Sequence, residues 1–173
     1  VLNTDIFYNY EYAFYDSHLV SEFEKFKSHY FRFSTKPFDF LNIQAGLGTG
    51  NEIAYREEIP ELGDRFSFNT SIEVTLNNNL RIKPSVNFSR LKKLDSQEYF
   101  FDGYIARFDI RYQFTSSLNL RVISEYNEFS DQIFVQPLIS WRPNSDTIFY
   151  LGGNQNYIDE FVDYNSPNYR VNK

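Results

Sequence analysis

The sequence predicts an all-β fold, an antiparallel up-and-down β-barrel of the kind that spans a membrane, and three observations predict it. Apolar and polar residues alternate with a period of two, tight turn signals separate the alternating runs, and the apolar positions of the best runs carry no charge. The 173 residues have room for one domain or one large piece of a larger one. Residues 1–173 are read as a single barrel segment with about nine strands, probed element by element below.

The first alternating run holds Ile6, Tyr8, Tyr10, Tyr12 and Phe14. A shorter and less regular one covers Tyr30 to Phe33, and beyond Lys36-Pro37 a third holds Leu41, Ile43, Ala45 and Leu47. From Phe66 the even positions read Phe66, Phe68, Thr70, Ile72, Val74, Leu76. A helix starting there needs apolar residues at Asn69, Thr70 and Glu73 and finds none, so the strand reading stands. Asn77, Asn78 and Asn79 turn the chain into Leu80, Ile82, Pro84, Val86, Phe88, which completes a hairpin. Tyr104 to Phe114 and Leu118 to Tyr126 form the next one around Thr115-Ser116-Ser117. The last runs from Ile133 to Trp141, turns through Pro143 to Asp146, and returns through Thr147, Phe149 and Leu151.

Across the five best strands the apolar face has no charged residue, while Glu73, Arg81, Lys83, Arg107, Asp109, Arg111, Arg121 and Glu125 fall on the other. At 23% charged composition, about 27 charge-free positions would arise by chance roughly once in a thousand trials. A soluble β-sandwich with one inner face would share this asymmetry. Three features favour a membrane. Strands of about ten residues suit a tilted bilayer crossing, whereas soluble strands average roughly five or six. Tight connections alternate with longer polar ones, Gly48 to Asp64 and Arg90 to Gly103, with Ser130 to Gln132 the exception. Phe66, Phe68, Phe88, Tyr104, Tyr112, Phe114, Tyr126 and Trp141 stand toward strand ends, where aromatic rings meet a lipid interface. Pro84 and Pro137 count against a closed barrel, since each forfeits a ladder bond; bulges are expected to accommodate them.

Composition excludes other classes. With 20% aromatic residues the chain is not intrinsically disordered. The lack of cysteine removes disulfides, thiolate metal sites and a sulfur nucleophile. A net charge of −6 argues against nucleic acid as a partner. No run is long and apolar enough for a membrane helix and mean hydropathy is −0.50, values a strand-based barrel also shows. The chain opens on Val1 and has no Met, so it is expected to be processed or a piece of a longer protein.

The charged residues of the polar face are read as lumen-facing. They could line an anion-selective channel, or form a self-neutralising ladder that fills a narrow lumen; the ladder is the plainer reading. Gly46, Gly48 and Gly50 lack the residues of a phosphate loop and read as relief of crowding in a strand. His18 and His29, the two histidines, have no matching serine motif, so catalysis and zinc binding are not expected. Asp159, Glu160 and Asp163 lack EF-hand spacing and read as a solvated acidic loop. The Asn-x-Ser sequons at Asn69 and Asn87 lie mid-strand and read as accidental. Neither a cofactor nor a metal is expected.

The stretch from Gly63 to Leu151 resembles the C-terminal barrel of the outer-membrane family called domain of unknown function 5916. The segments 101–130 and 140–151 carry the likeness, above all Arg111-Tyr112-Gln113-Phe114-Thr115 and the Arg142-Pro143-Asn144-Ser145 turn. Residues 50–55 and 60–63 agree more loosely. The resemblance implies a Bacteroidota outer-membrane barrel that often follows a family-9-like carbohydrate-binding module, and so a carbohydrate-related role. The given residues depart from the family's pattern at both ends: they are expected to hold no such module before the barrel and no terminal strand ending in an aromatic by Lys173. Further strands, from a longer protein or another chain, are expected to complete the barrel.

The expected function is that of a non-enzymatic integral β-barrel of a bacterial outer membrane, partnered by lipid, other envelope proteins or the rest of the barrel. It would act as a channel or as part of an envelope complex. A secreted β-sandwich that binds glycans through exposed Tyr and Trp is the alternative. A hydrolase at the barrel rim, using His18 or His29, is the third reading.

Overall fold

The computed structural model describes residues 3–16, 22–55, 57, 59–77 and 79–158. They form one antiparallel sheet of ten strands and no helix: β1 Asn3–Asp16, β2 Glu22–Phe38, β3 Leu41–Ala54, β4 Glu61–Leu76, β5 Leu80–Lys93, β6 Tyr99–Gln113, β7 Leu118–Asn127, β8 Gln132–Asn144, β9 Thr147–Gly152 and β10 Gln155–Ile158. From β1 to β8 each strand pairs with the next in the chain, and β9 and β10 both pair with β8. Leu138 opposite Gly152 and Val135 opposite Gln155 follow one register, so β9 and β10 are two halves of a single edge strand. The sheet thus has nine lanes, and it is not closed: β1 and the β9/β10 lane are its two edges among the described residues.

The strands are longer than their alternation suggests. β2 has 17 residues and β4 has 16, where about ten were expected from a bilayer crossing. Gly48 to Asp64 and Arg90 to Gly103 are therefore not long loops. Pairing such as Asn51 with Asp64 and Leu91 with Phe101 carries the ladders past the point where apolar residues stop alternating. Backbone hydrogen bonds do not require an apolar face, so the sequence pattern ends before the strand does. Likewise Lys36-Pro37 does not separate two strands. It lies inside β2, at a register shift between Thr35 and Phe38 that leaves the proline outside the regular ladder.

Pro84 and Pro137 are accommodated without bulges, contrary to expectation. Pro84 sits opposite Phe108 in unbroken register with β6, while pairing with β4 lapses at Ile72 and Glu73 and resumes at the same offset. Pro137 faces Val122 on β7. On its other side its carbonyl accepts a bond from the Gly153 amide at 3.2 Å. The return bond of that pair would need an N–H that proline lacks, and this is where the edge lane breaks into β9 and β10. Two turn residues, Asn77 (φ 52°) and Asp131 (φ 48°), adopt the left-handed conformation that Asn and Asp tolerate best.

Register assigns every strand residue to a face. One face carries Ile6, Phe33, Ala45, Thr70, Val86, Ala106, Tyr126 and Ile133 in a single cross-strand row, and comparable apolar rows lie on either side of it. This face is exposed: Phe108 is 51% accessible and Leu151 73%. No second sheet covers it among the described residues, and the buried hydrophobic side chains are few, namely Ile53, Ala54, Leu91 and Ile123.

Candidate functional site

The eight charged residues singled out from sequence come together on the opposite, polar face of β4 to β7. Antiparallel pairing places Arg81 beside Arg111 and Arg111 beside Arg121, three guanidiniums in one row near the tight-turn end. One row further on, Lys83 lies opposite Asp109, and beyond that Arg107 lies opposite Glu125. Like charges directly opposite one another are unfavourable. At an effective dielectric near 20, two such charges ~5 Å apart repel by about 3 kcal/mol, and opposite charges ~3.2 Å apart attract by about 5. Solvent reduces both figures here, because the Arg111 and Arg121 side chains are more than one-third exposed.

Asp109 makes the row tenable. Its carboxylate accepts two bonds from Arg111, at 3.1 and 3.2 Å, and one from Arg121 Nη2 at 3.2 Å. It is the most enclosed carboxylate of the group, 15% exposed, beside the buried Ile123. Arg107 pairs with Glu125 at 3.2 Å and Arg81 with Glu73 at 3.5 Å. Lys83 has no ion pair among the described residues. The network is therefore not self-neutralising: five cations (Arg81, Lys83, Arg107, Arg111, Arg121) meet three carboxylates (Glu73, Asp109, Glu125). In addition, Arg121 Nε is enclosed with no hydrogen-bond acceptor, an arrangement that costs about 1–3 kcal/mol. An open pocket of about 400 Å³ lies at this row, lined by Arg81, Arg111, Arg121, Gln113 and Asn119 and also by Leu80, Tyr112, Leu120 and Leu138.

The alternating glycines of β3 serve the same face. A Cβ on Gly46 would stand 2.7 Å from both the Tyr30 hydroxyl and the Asn69 carboxamide, and one on Gly48 would stand 2.5 Å from Ser67 Oγ. Missing side chains on β3 thus make room for Tyr30, over which Arg32 is placed 5.5 Å from the ring centroid. Tyr30, Arg32 and the Gln113–Asn119 pair escaped the sequence reading. Gly46 and Gly48 were the available signal, since alternating glycines in a strand imply a large neighbour on their face.

The eight aromatic residues all lie on the apolar face, in two groups. Phe66, Phe68, Phe88, Tyr104 and Tyr126 are toward the loop end, with Phe66 edge-on to Phe88 at 6.0 Å and Tyr104 edge-on to Tyr126 at 5.8 Å. Tyr112, Phe114 and Trp141 are at the turn end, where Trp141 stacks on Phe149 at 5.4 Å. His29 is also on this face, its Nδ1 2.9 Å from the Tyr8 hydroxyl. His18 and the acidic cluster of Asp159, Glu160 and Asp163 lie outside the described residues. Among the described residues no group of three metal-ligating side chains converges. The sequon residues Asn69 and Asn87 are cross-strand partners in mid-sheet.

Compared with protein-family models, curated proteins and solved structures, the chain matches none.

Proposed function

We propose that this chain is a segment of a non-enzymatic β-barrel of a bacterial outer membrane, its apolar face against lipid and its charged face toward the lumen. The supporting observation is the dimension of the uncovered apolar face. On β4 it is charge-free from Phe66 to Leu76, with Asp64 the first charge beyond it; on β6 it is charge-free from Tyr104 to Phe114, with Asp102 beyond. The roughly ten steps between the ends of such a stripe, at ~3.4 Å each, give roughly 34 Å along the strand. A tilt of ~40° reduces that to about 26 Å, close to the ~25 Å apolar band of outer-membrane barrels. The aromatic groups stand at the two limits of this stripe, where interfacial rings belong. Closure would take further strands, from a longer protein or another chain, because an edge of unpaired amides cannot face hydrocarbon.

The lumen or loops would then handle a ligand, or the barrel would belong to an envelope complex. The link to carbohydrate rests on the family resemblance alone. A soluble glycan-binding sheet is the second reading, favoured by the exposed Trp141–Phe149 stack, since a flat aromatic platform suits a sugar face. The two differ in solubility. The full chain, refolded with phospholipid vesicles, is expected to float with them through a density gradient and to resist carbonate extraction. Recovery as a soluble monomer without detergent or lipid would end the membrane reading and leave the glycan binder.

A further inference from the structure

The geometry points to a binding site for a phosphate monoester dianion on the polar face, built by Arg81, Arg111 and Arg121. Three observations converge there. The three guanidiniums are consecutive cross-strand neighbours, so they present one continuous row to whatever enters the pocket. The available countercharge is insufficient: Arg81, Lys83, Arg111 and Arg121 face only Glu73 and Asp109, leaving an excess of two positive charges. That excess matches a dianion in place of a single carboxylate.

The third observation is space. The pocket at this row holds about 400 Å³ and is flanked toward the turns by the carboxamides of Gln113 and Asn119, with no carboxylate among its lining residues. Guanidinium forks suit the tetrahedral oxygens of phosphate, which can take paired N–H donors from more than one arginine. The three arginines all stand on the polar face, and their row does not require that the opposite face lie in lipid. With lipid against the apolar face, as the proposed function has it, a headgroup anchored there is on the wrong side of the sheet, so the assignment to a soluble phosphorylated compound rests on that reading.

The test uses the full chain in whatever medium keeps it folded, with inorganic phosphate as the probe, titrated by calorimetry at constant ionic strength. Wild type is expected to bind one equivalent saturably, and R111Q and R121Q each to weaken binding at least tenfold. R65Q removes the same charge from the same face near the loop end, where Arg65 pairs with Glu52, and is expected to bind as wild type. R81Q, whose partner is the most distant of the network, provides a third reading should either of the others lose its strand signature in circular dichroism. Micelles doped with dihexanoyl-phosphatidylglycerol are expected not to displace phosphate; displacement would overturn the assignment to a soluble ligand. The site itself is overturned by absence of saturable binding in wild type, by wild-type affinity in R111Q, R121Q or R81Q, or by equal weakening in R65Q.

Discussion

Asp109 is the residue on which the charged face depends, because it is shared by two arginines that would otherwise repel across the β6–β7 ladder. Asp109→Asn keeps the shape and removes the charge. It is expected to destabilise the folded sheet by about 1–2 kcal/mol, a value reduced from the bare Coulomb figure because Arg111 and Arg121 are partly exposed. Denaturant titration at low and high salt checks this: the loss should shrink as salt screens the remaining arginines. A loss that is the same at both ionic strengths would mean that repulsion is not its cause. The face to which Asp109 belongs was legible in the alternation of Tyr104 to Phe114. Its sharing was not, since Arg121 is its diagonal neighbour and Ile123 its direct partner, a distinction that depends on register.

At the scale of the element, the turns and the centres of the hairpins were readable from sequence, whereas strand ends were not. Alternation reports a face that is apolar on one side, and its phase is lost toward the loop ends, as on β5, where Arg90 stands opposite Phe66 on the apolar face and the buried Leu91 falls on the other. The division between β9 and β10 has a single chemical origin in the missing amide of Pro137. Pro137→Ala supplies that amide opposite Gly153 and is expected to join the two halves into one edge strand. Amide hydrogen exchange followed by mass spectrometry should then show slower exchange over residues 150–156. Unchanged exchange would place the cause of the break in Gly152 and Gly153 themselves.

For the whole molecule, the medium against the apolar face decides what the sheet can be. Ile72 and Ser71 are neighbours in β4 on opposite faces, which allows a paired comparison. If lipid covers the apolar face, Ile72→Arg near its middle is expected to cost about 2–4 kcal/mol, and Ser71→Arg on the polar face far less. The measurement is urea unfolding from phospholipid vesicles. Equal tolerance of both substitutions would mean that the apolar face meets water. The same experiment bears on the charged row, since a lumen and an open aqueous surface screen Arg81, Arg111 and Arg121 differently.

The sequence alone determined which residues share a face, because side chains of a strand alternate strictly and no partner is needed to sort them. It also determined that the chain is all-β and where most hairpins turn, because turn residues act locally. Tertiary structure alone decided which of the charges on that face become neighbours, which carboxylate each arginine meets, and that one arginine nitrogen is enclosed without an acceptor. Those facts depend on the offset between strands, and the offset is set by the summed pairing of whole ladders, which no single segment encodes.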